Sequence, residues 1–94
     1  MAKIRFYFKK IKNTQPYKLY LEGKIKKIEK FLKENDVLNI EFSLIDKKTF
    51  YTEFNFQREG KLLRATSKSF NPFESIDKAI DKLVKRIKKE KNKK

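Results

Sequence analysis

Ninety-four residues, of which 40% are charged and 14% aromatic, make one compact domain with a single thin core, not a disordered polyelectrolyte. The net charge of +14 comes with no Cys and no His, which removes disulfides, thiolate nucleophiles, the commonest general base and the usual zinc ligands. The opening MAKIRFYFKKIKN lacks the apolar run of a signal peptide, and no stretch is long and apolar enough to span a membrane, so the sequence reads as cytoplasmic.

The first predicted element is a strand. In KIRFYFK (3–9), Ile4, Phe6 and Phe8 alternate with Arg5, Tyr7 and Lys9, the pattern of a strand with one buried face. Thr14 is placed to cap a helix that opens at Gln15–Pro16, where proline suits the first turn. Tyr17, Leu21, Ile25, Ile28 and Leu32 then recur at helical spacing, widened by Tyr20 and Phe31. Gly23 interrupts this stripe at a cost of about 1 kcal/mol relative to Ala. KENDVLN (33–39) ends the helix.

Three further strands follow. Leu38, Ile40, Phe42 and Leu44 alternate with Asn39, Glu41 and Ser43. After the turn IDKK, Phe50, Thr52, Phe54 and Phe56 alternate with Tyr51, Glu53, Asn55 and Gln57. REGK turns the chain again at Gly60, and Leu63 and Ala65 oppose Arg64 and Thr66. Such short turns make an antiparallel meander. Asn71, Pro72 and Glu74 spell a helix start, and Phe73, Ile76, Ile80, Leu83 and Ile87 form the last apolar stripe.

The order predicts an α+β fold, βαβββα: a four-stranded sheet with two helices packed on one face and a more polar opposite face. Residues 1–90 read as a single domain. The end, EKNKK, reads as a frayed terminus, with 91–94 a basic C-terminal tail.

The charge is concentrated. Lys82, Lys85, Arg86, Lys88, Lys89, Lys91, Lys93 and Lys94 face one acid, Glu90. Lys78, Lys82, Lys85 and Lys89 share a helix face. The first helix carries Lys24, Lys26, Lys27, Lys30 and Lys33 against Glu29. The helix macrodipole and the pairs Glu74–Lys78 and Asp81–Lys85 account for a few of these lysines. A codon bias toward Lys would raise Glu as well, yet 26 basic residues stand against 12 acidic ones. The excess points to a polyanion. Lysine binds phosphate as a point charge and reads base edges poorly, so backbone and shape recognition is expected. Tyr7 and Tyr51 are candidates to stack on bases, against the simpler reading that they cover sheet surface.

Catalysis finds little support. Asp77 and Asp81 lie one turn apart, but Lys78 and Lys82 flank them and charge balance explains them. Asp46 and Ser67 have no base to activate anything, and two glycines make no phosphate-cradling loop. No catalytic residue, metal ligand or cofactor is expected. Basic amphipathic helices can lie on anionic membranes, but here their apolar faces are committed to the sheet.

Three segments carry a family resemblance. IDKAIDKL (76–83), opening the last helix and running into a basic end, resembles the final helix of the ribosome hibernation-promoting factors, which include protein Y. GKIKKIEKFL (23–32) is similar to the lysine-spaced end of that family's first helix, and NTQPYKLYL (13–21) to its capped start. The order βαβββα is that family's fold, a relative of double-stranded-RNA-binding domains. The resemblance implies a protein that binds the small ribosomal subunit in the channel of mRNA and of A- and P-site tRNA. It would silence translation, preserve idle ribosomes under stress or in stationary phase, and catalyse nothing. It implies rRNA contacts at Lys24, Lys27, Lys82, Lys85, Lys89 and Lys91; Arg86 and Lys88 join them on local charge alone. Ending at Lys94, the chain resembles the short form, a monomer off the ribosome. KKIKNTQ (9–15) lacks the histidines and glycine often seen there. The alternative is a free-standing module for duplex or structured RNA.

Overall fold

A computed structural model of the chain describes the backbone from Ala2 to Lys91 and the side chains through Glu90. The elements are β1 (Lys3–Lys9), α1 (Gln15–Ile28), a 3-10 turn (Glu29–Phe31), β2 (Val37–Leu44), β3 (Phe50–Arg58), β4 (Lys61–Ser69) and α2 (Pro72–Lys91). They form one sheet in the order β1-β2-β3-β4. β1 runs parallel to β2, and β2, β3 and β4 form the antiparallel meander.

Alternation puts one side of every strand against the helices. Leu38, Ile40 and Phe42 of β2, Phe54 and Phe56 of β3 and Ala65 of β4 are buried. Leu21, Ile25 and Ile28 of α1 and Ile76, Ala79, Ile80, Leu83 and Ile87 of α2 close over them in one cluster. Two amphipathic helices thus cover one sheet face, as the pattern predicts. Ile4, Phe6 and Phe8 are only partly buried, because β1 is an edge strand. Two buried hydroxyls of the core pair with each other: Thr52 Oγ1 lies 2.8 Å from Ser75 Oγ, which donates to Ser67 O at 3.2 Å.

Turn and cap chemistry follow the sequence closely at two places. Glu59 and Gly60 both take positive φ, 48° and 79°, as a two-residue hairpin turn demands. Asn71 Oδ1 accepts the N–H groups of Phe73 and Glu74 at 2.9 and 3.2 Å, capping α2. The Glu74 half of the capping box is relayed: Asn71 N–H donates to Ser69 Oγ, which donates to the Glu74 carboxylate.

Elsewhere the structure differs from the sequence pattern. Thr14 caps nothing with its side chain; its own backbone is helical, at φ −82° and ψ −21°, and its carbonyl accepts Lys18 N–H. α1 ends at Ile28, short of Leu32, because Arg58 ties off the turn that follows. Its guanidinium donates to Phe31 O at 2.7 Å and to both Asp36 oxygens at 2.9 and 2.6 Å. Asp36 also accepts Lys33 N–H at 2.7 Å. Burial pushes the Asp36 carboxyl up, but Arg58 and the Lys33 N–H outweigh it and hold it below its usual value. Phe73 leaves the core stripe for the surface, packing on Tyr17 and Tyr20. α2 continues through Glu90 to Lys91, residues expected in the frayed end; 92–94 lie outside the described residues.

Candidate nucleic-acid interface

The two helices run in the same direction. Their N-terminal parts touch through Tyr17, Tyr20 and Phe73, and Lys88 near the end of α2 lies over Phe31 of the 3-10 turn that follows α1. Both C-terminal ends therefore meet at one pole of a body measuring 44 × 22 × 21 Å. Helix C-termini carry partial negative charge, which the lysines there complement. The β3–β4 turn reaches the same pole: Lys30 and Lys33 after α1, Lys61 after the turn, and Ile87 of α2 line one pocket with Phe31, Leu63 and the acids Glu59 and Glu90. Two basic segments far apart in sequence thus become one surface.

Not every expected contact joins it. Lys85, Arg86 and Lys89 are exposed and line a groove with Lys82, beside Leu63 and Glu90. Lys82 is partly engaged, donating to Thr66 O at 2.8 Å. Lys88 faces the 3-10 turn after α1, with its ammonium 5.6 Å from the Phe31 ring centroid. Lys27 is exposed. Lys24 is diverted: it pairs with Asp77 at 3.1 Å and lies 5.4 Å from the Tyr20 ring centroid, while Tyr20 O–H donates to the same Asp77 oxygen at 2.7 Å. The Asp77 hydrogen bond raises the Lys24 pKa, and it raises that of Tyr20 as well. Lys91 closes α2, and its side chain lies outside the described residues.

Sequence reasoning counted Lys30 and Lys33 in the charge of the first helix but not among the contacts, and it passed over Lys61. Only the fold gathers these three. Lys61 is itself paired with Glu90 at 3.0 Å.

The uncovered sheet face carries Lys3, Arg5, Lys9, Arg64 and Lys68 against Glu41 and Glu53, so it too is net basic, and its two acids are tied into a network. Glu41 and Glu53 sit opposite each other on β2 and β3. Lys9 pairs with Glu41 at 3.4 Å. Glu53 accepts Tyr51 O–H and Asn55 Nδ2, and these bonds, against burial, hold its carboxyl below the ordinary value. Burial and the Glu53 bond push Tyr51 up to about 12. Tyr51 therefore belongs to the sheet surface, while Tyr7 remains exposed.

Of the weak catalytic candidates, Asp77 and Asp46 have structural partners. Asp77 is held by Tyr20 and Lys24, and Asp46 accepts the N–H groups of Lys48 and Thr49 in its turn. Ser67 is buried. Among the described residues no group of acidic side chains is arranged to hold a metal, and no helix is long and apolar enough to cross a membrane.

Solved structures share this fold. The N-terminal domain of protein Y from Thermus thermophilus superposes with a TM-score of 0.78 at 20% identity, covering 95% of this chain and 98% of that one. A ribosomal subunit interface protein from Coxiella burnetii gives 0.77 at 17% identity, covering 95% and 99%. The family model described as "Sigma 54 modulation protein / S30EA ribosomal protein" matches residues 4–94. With its fold and nearly its whole length accounted for, the chain belongs to the Sigma 54 modulation protein / S30EA ribosomal protein family.

Proposed function

We propose that the chain is a ribosome hibernation factor that occupies the mRNA and tRNA channel of the small subunit at the A and P sites. Bound there, it blocks translation and preserves idle ribosomes in stationary phase or stress, acting in the cytoplasm and without catalysis. The observation that carries this reading is the basic pole built by the two helix C-termini, in a family that includes ribosome-associated proteins. Exposed lysines at that pole displace counterions from rRNA phosphates, so affinity comes from the backbone and falls steeply with salt. Inhibition is steric: the folded body stands where mRNA and tRNA must lie. Off the ribosome the protein is a monomer.

Sucrose-gradient sedimentation tests this. The protein is run with vacant ribosomes and with ribosomes preloaded with mRNA and initiator tRNA. Co-migration with vacant ribosomes alone is expected. Equal binding to both would move the site out of the channel. Binding to any RNA duplex as tightly as to ribosomes would favour a free-standing RNA-binding module instead.

A further inference from the structure

The pole opposite the helix C-termini holds a residue with no role so far. Of nine Phe, Phe42, Phe54 and Phe56 are buried, Phe6, Phe8, Phe31 and Phe50 pack against the core, and Phe73 packs on two tyrosines. Phe70, in the β4–α2 connection, is 77% exposed. Its burial would stabilise the fold, and the fold leaves it outside.

The connection that carries it is not loose. Ser69 Oγ accepts Asn71 N–H and donates to Glu74. Asn71 Oδ1 takes two N–H groups of α2, and Pro72 restricts the next φ. Phe70 is thus held out by bonded residues on both sides, with its loop already ordered.

Its surroundings are cationic. Phe70 lines a groove with Lys68 and Lys78. The one acid lining it, Glu74, is engaged by Ser69 and by Lys78 at 3.4 Å. The β2–β3 turn, with Lys47 and Lys48, lies alongside. Asp46 there is held below its usual pKa first by the Lys48 N–H, then by Thr49, and also by the charge of Lys68.

We propose that Phe70 is a stacking platform for one unpaired nucleobase, whose flanking phosphates are held by Lys68 and Lys78. An exposed ring in a groove lined by lysines is the arrangement that binds single strands, because every base offers a π face. Paired bases are already stacked, so the occupant is an unpaired one. The lysines that line the groove with it favour a polyanion over a protein surface. The assignment rests on the reading of small-subunit rRNA as the partner, and adds a second contact at the far pole.

The chain has no Trp, so Phe70→Trp gives a single tryptophan that can be excited selectively over the tyrosines. It is titrated with a single-stranded RNA oligomer and with vacant small subunits, beside wild type and Phe70→Ala. Quenching by both ligands is expected. Phe70→Ala should weaken subunit binding by about 5- to 150-fold, the worth of one stacked base, with an unchanged salt slope and an unchanged melting temperature. Phe70→Trp should bind like wild type. Wild-type affinity for Phe70→Ala would overturn the proposal. So would quenching by the subunit but not the oligomer, which would make the contact a ribosomal protein. Failure of wild type to bind subunits, with the oligomer still quenching Phe70→Trp, would sink the ribosome reading and support the stacking site.

Discussion

Replacing Lys85, Arg86 and Lys89 together by Gln removes three exposed cations from one groove of α2. Gln keeps helix propensity close to that of Lys and Arg, so the helix persists. Each phosphate contact contributes ~0.7–0.9 to the slope of log affinity against log salt. Three lost contacts lower the slope by about 2–3, and lower affinity about 100- to 500-fold near 0.1 M salt while the curves converge toward 1 M. Single variants grade the effect. Lys82→Gln should cost less than a full contact, because its ammonium already donates to Thr66 O at 2.8 Å. Lys24→Gln should leave the slope unchanged, since Asp77 already neutralises Lys24 at 3.1 Å. The assay is equilibrium binding of labelled protein to vacant small subunits across a salt series, with circular dichroism as the control on folding. A triple variant with wild-type slope and a normal spectrum would refute the electrostatic reasoning. A Lys24→Gln slope as reduced as that of Lys85→Gln would refute the division of roles.

Asp36→Ala leaves Arg58 without its carboxylate, and with Asp36 2% and Arg58 20% exposed the loss is put at the low end for a buried pair, about 3 kcal/mol, or about 12–24 °C in melting temperature. The Asp36 pKa is depressed on folding, so its contribution is full above the ordinary carboxylate value near 4 and is lost as pH falls through the folded value; acid denaturation of Asp36→Asn should be correspondingly shallower, and an unchanged acid profile would contradict the assignment. Gly23→Ala should raise the melting temperature by about 2–8 °C, because a Cβ there meets nothing within 4 Å and a helical Gly costs about 0.5–1 kcal/mol. Asn71→Ala should lower stability by about 1 kcal/mol through loss of the α2 cap, read in a urea melt with unchanged m-value.

The strands were legible because their signal is local. Alternation in KIRFYFK and in the meander fixes which side chains face the helices, and β1 occupies the predicted residues, Lys3–Lys9. Asn71–Pro72 marked a helix start for the same reason. What escaped was set from a distance. α1 stops early because Arg58, far along the chain, takes the Phe31 carbonyl and Asp36. Lys24 is consumed by Asp77 on the other helix, a pairing no spacing within α1 reveals. Thr14 had a capping residue's identity but a helical backbone. Of the site, the basic character of each helix end could be read in advance. That the two ends share a pole with Lys61 follows only from the helices running the same way.

The parallel pairing of β1 with β2 shapes how this molecule assembles. β2, β3, β4 and α2 follow one another through short connections, and such neighbours find each other quickly. β1 has one partner strand, and α1 must fold across before the two can pair. Of the two edge strands, β1 is the one whose pairing waits on that crossover. Its amides, on a free edge over partly buried Ile4, Phe6 and Phe8, should exchange with solvent ahead of the rest of the sheet.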